Sequence, residues 1–117
     1  MSETGSGRFR DRVDIQANVA TEGNPKTDYS GTAFYENWRA RHHDVSGATE
    51  FRGQQVSDTV KSVVELYEDK TKPLMANMLI KFEGRKLFIV FIKRERHGNE
   101  PPRCFCFCKD REHASVN

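Results

Sequence analysis

The chain has 117 residues, of which 36% are hydrophobic and 31% charged, and its 19 basic and 17 acidic side chains leave a formal charge of +2. That length holds one domain with a small core. The near balance of charge is unlike a dedicated nucleic-acid binder, and the longest uncharged apolar run, Leu87 to Ile92, is too short to span a bilayer. Aromatic residues at 10% argue against full disorder. Residues 1–7 lack the apolar stretch of a secretory signal, and three cysteines cannot all pair within one chain, so a reducing cytoplasm is the expected setting.

Residues 1–7 are small and polar and read as an arm. A single domain is expected over 8–109, and a polar tail over 110–117. From Phe9 to Ala17 the chain alternates, with Val13 and Ile15 on one face and Arg10, Arg12, Asp14 and Gln16 on the other, the pattern of a strand with one wet side. Asn18 to Thr32 is rich in turn formers and predicts a long loop. Phe34 to His43 is the next strand, with Trp38, Ala40 and His42 sharing a face.

Asp44 to Asp58 is an excursion. Its only large apolar residues are Phe51 and Val56, too few for a buried amphipathic helix. At most one short helical turn is expected within Ala48 to Val56. Thr59 to Glu68 returns to β character. Met78 to Glu83 and Lys86 to Lys93 flank Gly84 and Arg85 and predict a hairpin. Its second arm is apolar on both faces, so it is expected to be buried twice, against its own core and against another element or another subunit. Arg103 to Lys109 is the last strand, with Cys104, Cys106 and Cys108 on one face and Phe105 and Phe107 on the other. The sum is an all-β fold: a small antiparallel barrel of about six strands with two long loops, closure being the simplest way to hide its edges.

Little in this pattern points to catalysis. The cysteines at alternate positions present three thiols to one side, which suits a soft metal, but no second cluster accompanies them. Small buried core residues are the plainer reading. His42 and His43 are adjacent on a strand and face opposite ways. No metalloprotease, phosphate-loop or nucleophile-elbow motif occurs, so neither an enzyme nor a cofactor is expected. Arg10 and Arg12, with Arg39 and Arg41, can form a basic stripe if their strands pair, for phosphate contact or for subunit salt bridges, although Asp14 and Glu36 lie close by.

The order of these features resembles the phage head-tail joining proteins, also called head-closure or stopper proteins. The resemblance runs over about residues 8–109. It rests on Arg10, Val13, Ile15 and Gln16 in the first strand, then Trp38 and Ala40. It continues through Ser46, Gly47, Glu50, Phe51, Gln54 and Gln55, the hairpin around Gly84, and a final strand ending at Cys108. The stretch Glu65-Leu66-Tyr67-Glu68 and the turn at Gly84 depart from the family pattern, as do Cys104 and Cys106.

The resemblance implies a small β-barrel that assembles as a ring in the virion neck, after synthesis in the host cytoplasm. The ring would sit between the portal or its adaptor and the tail-completion or tail-tube protein, with double-stranded DNA passing through it. Within that picture Ser46, Gly47, Glu50, Phe51, Arg52, Gln54 and Gln55 are expected to contribute the channel gate, with Asn18 to Thr32 as a second candidate. Arg10, Arg12, Arg39, Arg41, Phe88, Val90 and Ile92 are expected at subunit or neck interfaces. Two alternatives are a related tail-completion protein and a small barrel that binds single-stranded nucleic acid. The latter would stack bases on Phe88, Phe105 and Phe107 beside Arg85, Lys93 and Arg103.

Overall fold

The computed structural model describes residues 9–19, 29, 31–96 and 98–110. The expected arm, most of the Asn18–Thr32 loop and nearly all of the tail lie outside the described residues. Eight strands follow in chain order: β1 (Asp11–Gln16), β2 (Ala33–Asp44), β3 (Glu50–Phe51), β4 (Gln54–Gln55), β5 (Ser62–Tyr67), β6 (Leu79–Phe82), β7 (Arg85–Glu95) and β8 (Arg103–Lys109). Six of them close an antiparallel barrel in the order β1-β2-β5-β8-β7-β6, with β6 returning to β1. Closure leaves the barrel without a free edge. β3 and β4 form a separate two-stranded hairpin.

Alternation decides what fills the barrel. Val13 and Ile15 point inward from β1, Val64 and Leu66 from β5, Ile80 and Phe82 from β6, and Leu87 and Ile89 from β7. Cys104, Cys106 and Cys108 complete the same cluster from β8. Small thiols opposite large aliphatic side chains let a six-stranded interior fill without overcrowding. The loop after β5 closes one end, where Leu74 and Met78 join the core. The Tyr35 hydroxyl pins that loop, accepting from Asp69 N and donating to Lys72 O, each at 2.8 Å.

Two irregularities change which residues face inward. On β2, Asn37 adopts a left-handed conformation (φ 52°). The register jumps there, so that Val13 pairs with Trp38 but Ile15 pairs with Tyr35. The extra residue brings Tyr35 into the core together with Trp38. On β7 the register shifts between Ile89 and Phe91. Ile89 lies opposite Cys108 and Ile92 opposite Cys106, so Val90 and Phe91 both face outward.

The excursion departs from the expectation of a helical turn. No helix occurs among the described residues. The segment instead folds back as the β3–β4 hairpin over the outer wall of the barrel. Val45, Val56 and Val60 bury there with Val63, Phe105 and Phe107, and Phe51 packs against them. The cover missing from the helix reading comes from the outward side of β8, whose phenylalanines need burial on the face opposite the cysteines. The hairpin turn is Arg52-Gly53, both with positive φ (50° and 81°), the geometry of a type I′ turn.

Candidate functional site: a docked hairpin and a cationic wall

The outer surface of the barrel divides into two electrostatic territories. The first lies over β5, β8 and β7, where the hairpin docks. Phe51 sits 5.1 Å from the His43 ring and 5.9 Å from both Phe105 and Phe107. Arg52 reaches Glu95 through paired contacts at 3.0 and 3.2 Å, and its guanidinium lies 4.7 Å over the Phe105 ring. Lys93 donates to the Arg52 carbonyl at 2.6 Å. Arg103 lies between Glu65 (3.5 Å) and Glu95 (3.6 Å), and His43 meets Glu65 at 2.9 Å. Charges on this wall therefore alternate along one chain, Glu65, Arg103, Glu95 and Arg52, with the His43 ring hydrogen-bonded at its Glu65 end. Arg52 holds the Glu95 carboxyl below its ordinary range through its hydrogen bonds.

The second territory lies over β2, β1, β6 and the start of β7. Arg12 and Arg39 are direct cross-strand partners, as are Lys81 and Lys86. Arg41 follows Arg39 on the same outward face of β2, where its register partner on β5 is Glu65. All five side chains are exposed. Among the described residues, no acidic side chain lies within ion-pair distance of any of them. Arg12 does donate to the Asn37 carbonyl at 3.1 Å. Asp14 is opposite Lys81 in register, but one of its oxygens accepts from Asn37 N at 2.8 Å. Beside Arg39 opens a cavity of about 360 Å³ lined by Phe9, Asn37, Trp38, Arg39 and Tyr67.

At the mouth next to Leu74 sits a polar clamp, a buried Glu68 held by the part-exposed Arg94. Glu68 accepts from Arg94 at 3.0 and 2.8 Å and from Leu74 N at 2.6 Å, and Arg94 also donates to the Leu74 carbonyl at 2.6 Å. Burial raises the Glu68 pKa, but Arg94 and Leu74 N outweigh it and hold the carboxyl below its ordinary value. At the opposite mouth His42 stacks on Phe82 (5.0 Å) and shares a 2.8 Å hydrogen bond with Ser62.

The expected gate residues are brought together, but against the barrel. Phe51 and Arg52 are packed onto β7 and β8, while Ser46, Gly47, Glu50 and Gln55 stay exposed and Gln54 is half-buried. The expected interface residues split. Arg10, Arg12, Arg39 and Arg41 are exposed. Phe88, Val90 and Ile92 are taken up by their own fold: Phe88 under Tyr29 (6.0 Å), Val90 against the hairpin cluster, and Ile92 against the barrel core. The second burial expected for β7 thus comes from another element of the same chain. Phe91, at 45% exposure, is the open ring of that strand, presented by a bulge that alternation does not reveal.

The stacking platform of the single-strand alternative is likewise covered. Phe105 and Phe107 are 1% and 2% exposed, Phe88 is buried, and Lys93 and Arg103 are committed to Arg52, Glu65 and Glu95.

All three thiols point into the core and are fully buried. Burial pushes Cys104 up to about 12, and raises Cys106 and Cys108 as well. Such thiols are poor nucleophiles. A thiol-titrating reagent should find essentially no reactive cysteine in the native protein and all three after denaturation. Rapid labelling of the native chain would show that β8 opens. Among the described residues no group of three metal-ligating side chains is placed to hold an ion.

These features define a class: an all-β protein whose closed six-stranded barrel carries a hairpin on one wall and exposed cations on others. No protein-family model matches the chain, and no curated protein matches it.

Proposed function

We propose that the chain is a head-closure subunit of a tailed phage. It forms a homo-oligomeric ring between the portal or adaptor and the tail, closes the DNA-filled head and offers the tail a docking surface. The observation that carries this reading is the closed six-stranded antiparallel barrel with its external hairpin, spanning the residues on which the family resemblance rests. Exposed apolar side chains add support. Phe91 and Met75, at 45% and 60% exposure, are surfaces a ring subunit can bury against neighbours. The reading assigns the chain no catalytic step and no cofactor.

The hairpin enters this proposal in a changed role. Its tip is braced by Arg52, Glu95 and Lys93, so it is fixed against the subunit wall and does not depend on neighbours to become ordered. In a phage whose genome carries the gene, a nonsense mutation should give heads that package DNA and then lose it, with free tails beside them. Added purified protein should restore tail attachment, and negative-stain images should show rings at the head vertex. Complete, infective virions made without the protein would refute the proposal.

A further inference from the structure

We propose that the cavity beside Arg39 binds a small aromatic molecule that carries one anionic group. The proposal goes beyond the head-closure reading and stands on a single subunit.

The cavity exists because two strands part. β2 and β5 pair from Asp44 and Ser62 as far as Arg41 and Glu65. Beyond that point β2 is diverted by the extra residue at Asn37, while β5 runs on along β8 to Tyr67, opposite Arg103. A side chain bridges the gap where the ladder stops: the Trp38 indole N–H donates to the Tyr67 carbonyl at 2.8 Å. Tyr35 packs against the same indole, with ring centroids 4.5 Å apart. Phe9 and Tyr67 meet at 5.2 Å, tilted by 59°. Three rings, Phe9, Trp38 and Tyr67, therefore line a space of about 360 Å³ and are fixed by their own contacts. That volume falls at the small end of ligand pockets and suits a molecule of one or two rings.

The polar groups of the lining decide what the ring must carry. Backbone groups around the cavity are already engaged: the Tyr67 carbonyl by Trp38, the Asn37 carbonyl by Arg12 at 3.1 Å, and Asn37 N by Asp14 at 2.8 Å. They offer nothing to an added strand, so recognition falls to side chains, which suits a compact ligand over an extended peptide. Among the described residues of the lining, Arg39 is the one with a charge, and it is exposed. Arg12 lies directly across the strand pair from Arg39 and reaches Asn37, another residue of the lining. Neither arginine forms an ion pair among the described residues. Like charges facing each other across a strand pair destabilise it. A carboxylate bound at this rim would relieve that repulsion and gain charge-assisted hydrogen bonds. The same two charges repel an ammonium group, which three rings alone would attract.

Trp38 is the sole tryptophan, so its indole N–H gives a single resonance that reports from the cavity wall. Phenylacetate titrated into the isotopically labelled full chain should move that resonance saturably. Its neutral isostere phenylacetamide should bind about 10-fold more weakly, the scale of a hydrogen bond to a charged group. Arg39→Gln should weaken phenylacetate binding by a similar factor and remove the preference for the acid. It should leave Tm unchanged or raised, because the side chain is exposed and faces Arg12. Lys70→Gln, on the loop after β5, should change neither ligand.

Four results would overturn the proposal. One is a Trp38 resonance that phenylacetate does not move up to about 10 mM, where a ligand of this size and ordinary efficiency is mostly bound. Another is equal binding of acid and amide, or a preference that survives Arg39→Gln. Tighter binding of benzyltrimethylammonium would assign the rings to a cation. A resonance that moves with protein concentration alone would assign the cavity to a second copy of the chain. Each of these outcomes leaves the head-closure reading standing, since that reading is tested on heads and tails.

Discussion

Glu68→Ala should destabilise the fold by about 1–3 kcal/mol, the scale of leaving a buried hydrogen-bonding group without its partner. The Glu68 side chain is 4% exposed and serves two donors at once, the Arg94 guanidinium and Leu74 N. Removing it strands a backbone N–H beneath the loop that caps the barrel and leaves the part-exposed Arg94 guanidinium with the Leu74 carbonyl as its hydrogen-bond partner there. A domain of this size has a total stability of about 5–15 kcal/mol, so the loss is a substantial fraction of it. Urea unfolding followed by far-ultraviolet circular dichroism measures it. A loss under about 1 kcal/mol would mean that Arg94 simply turns out to solvent.

The same clamp sets part of the acid limit. The Glu68 and Glu95 pKa values lie below 4.5 in the fold. The stability they contribute is fully present above pH 4.5 and is lost as pH falls through their folded values. His42 acts in the same direction at higher pH. Burial, and then Arg85, lowers it from 6.5, so its contribution begins to fade as pH drops below 6.5. Unfolding free energy should therefore fall in two stages on acidification. Glu68→Gln should flatten the lower stage, and His42→Gln the upper one.

Phe107→Ala should cost about 3–5 kcal/mol through the cavity it leaves. The ring is 2% exposed and lies between Phe51 of the hairpin and Phe91 of β7. Its loss falls outside the barrel, so the barrel strands should keep their amide protection while residues 45–60 lose theirs. Hydrogen exchange by mass spectrometry separates the two regions. Uniform loss of protection would show that hairpin and barrel unfold as one unit. If the hairpin serves head closure, this variant should also give leaking heads.

The barrel strands were legible because period-2 alternation is a direct record of one buried face. Val13 with Ile15, Trp38 with Ala40 and His42, and the three cysteines all fall on the sides alternation assigns. Departures cluster where one residue breaks the count. The extra residue at Asn37 puts Tyr35 inside, and the one at Val90 and Phe91 turns both outward. The hairpin was hidden for a different reason: strands of two residues carry no periodicity. Its remaining signal was local, a glycine-containing pair between Phe51 and Gln54 that matches the Glu83-Gly84 turn of the evident hairpin. The exposed cations were partly visible as Arg12, Arg39 and Arg41. Lys81 and Lys86 join them only because β6 closes on β1, a long-range pairing that no local pattern encodes.

The bulge on β7 makes the cost of a deletion in that strand depend on where it falls. Upstream of it the inward residues fall on odd numbers (Leu87, Ile89), and downstream on even ones (Ile92, Arg94). Deleting Val90 would remove the extra residue and leave plain alternation, with Leu87, Ile89, Ile92 and Arg94 still on one face. Deleting a residue between Ile92 and Glu95 would instead exchange inside for outside beyond the gap and take Arg94 from Glu68. A single-codon deletion at the bulge should therefore be tolerated far better than one later in the strand.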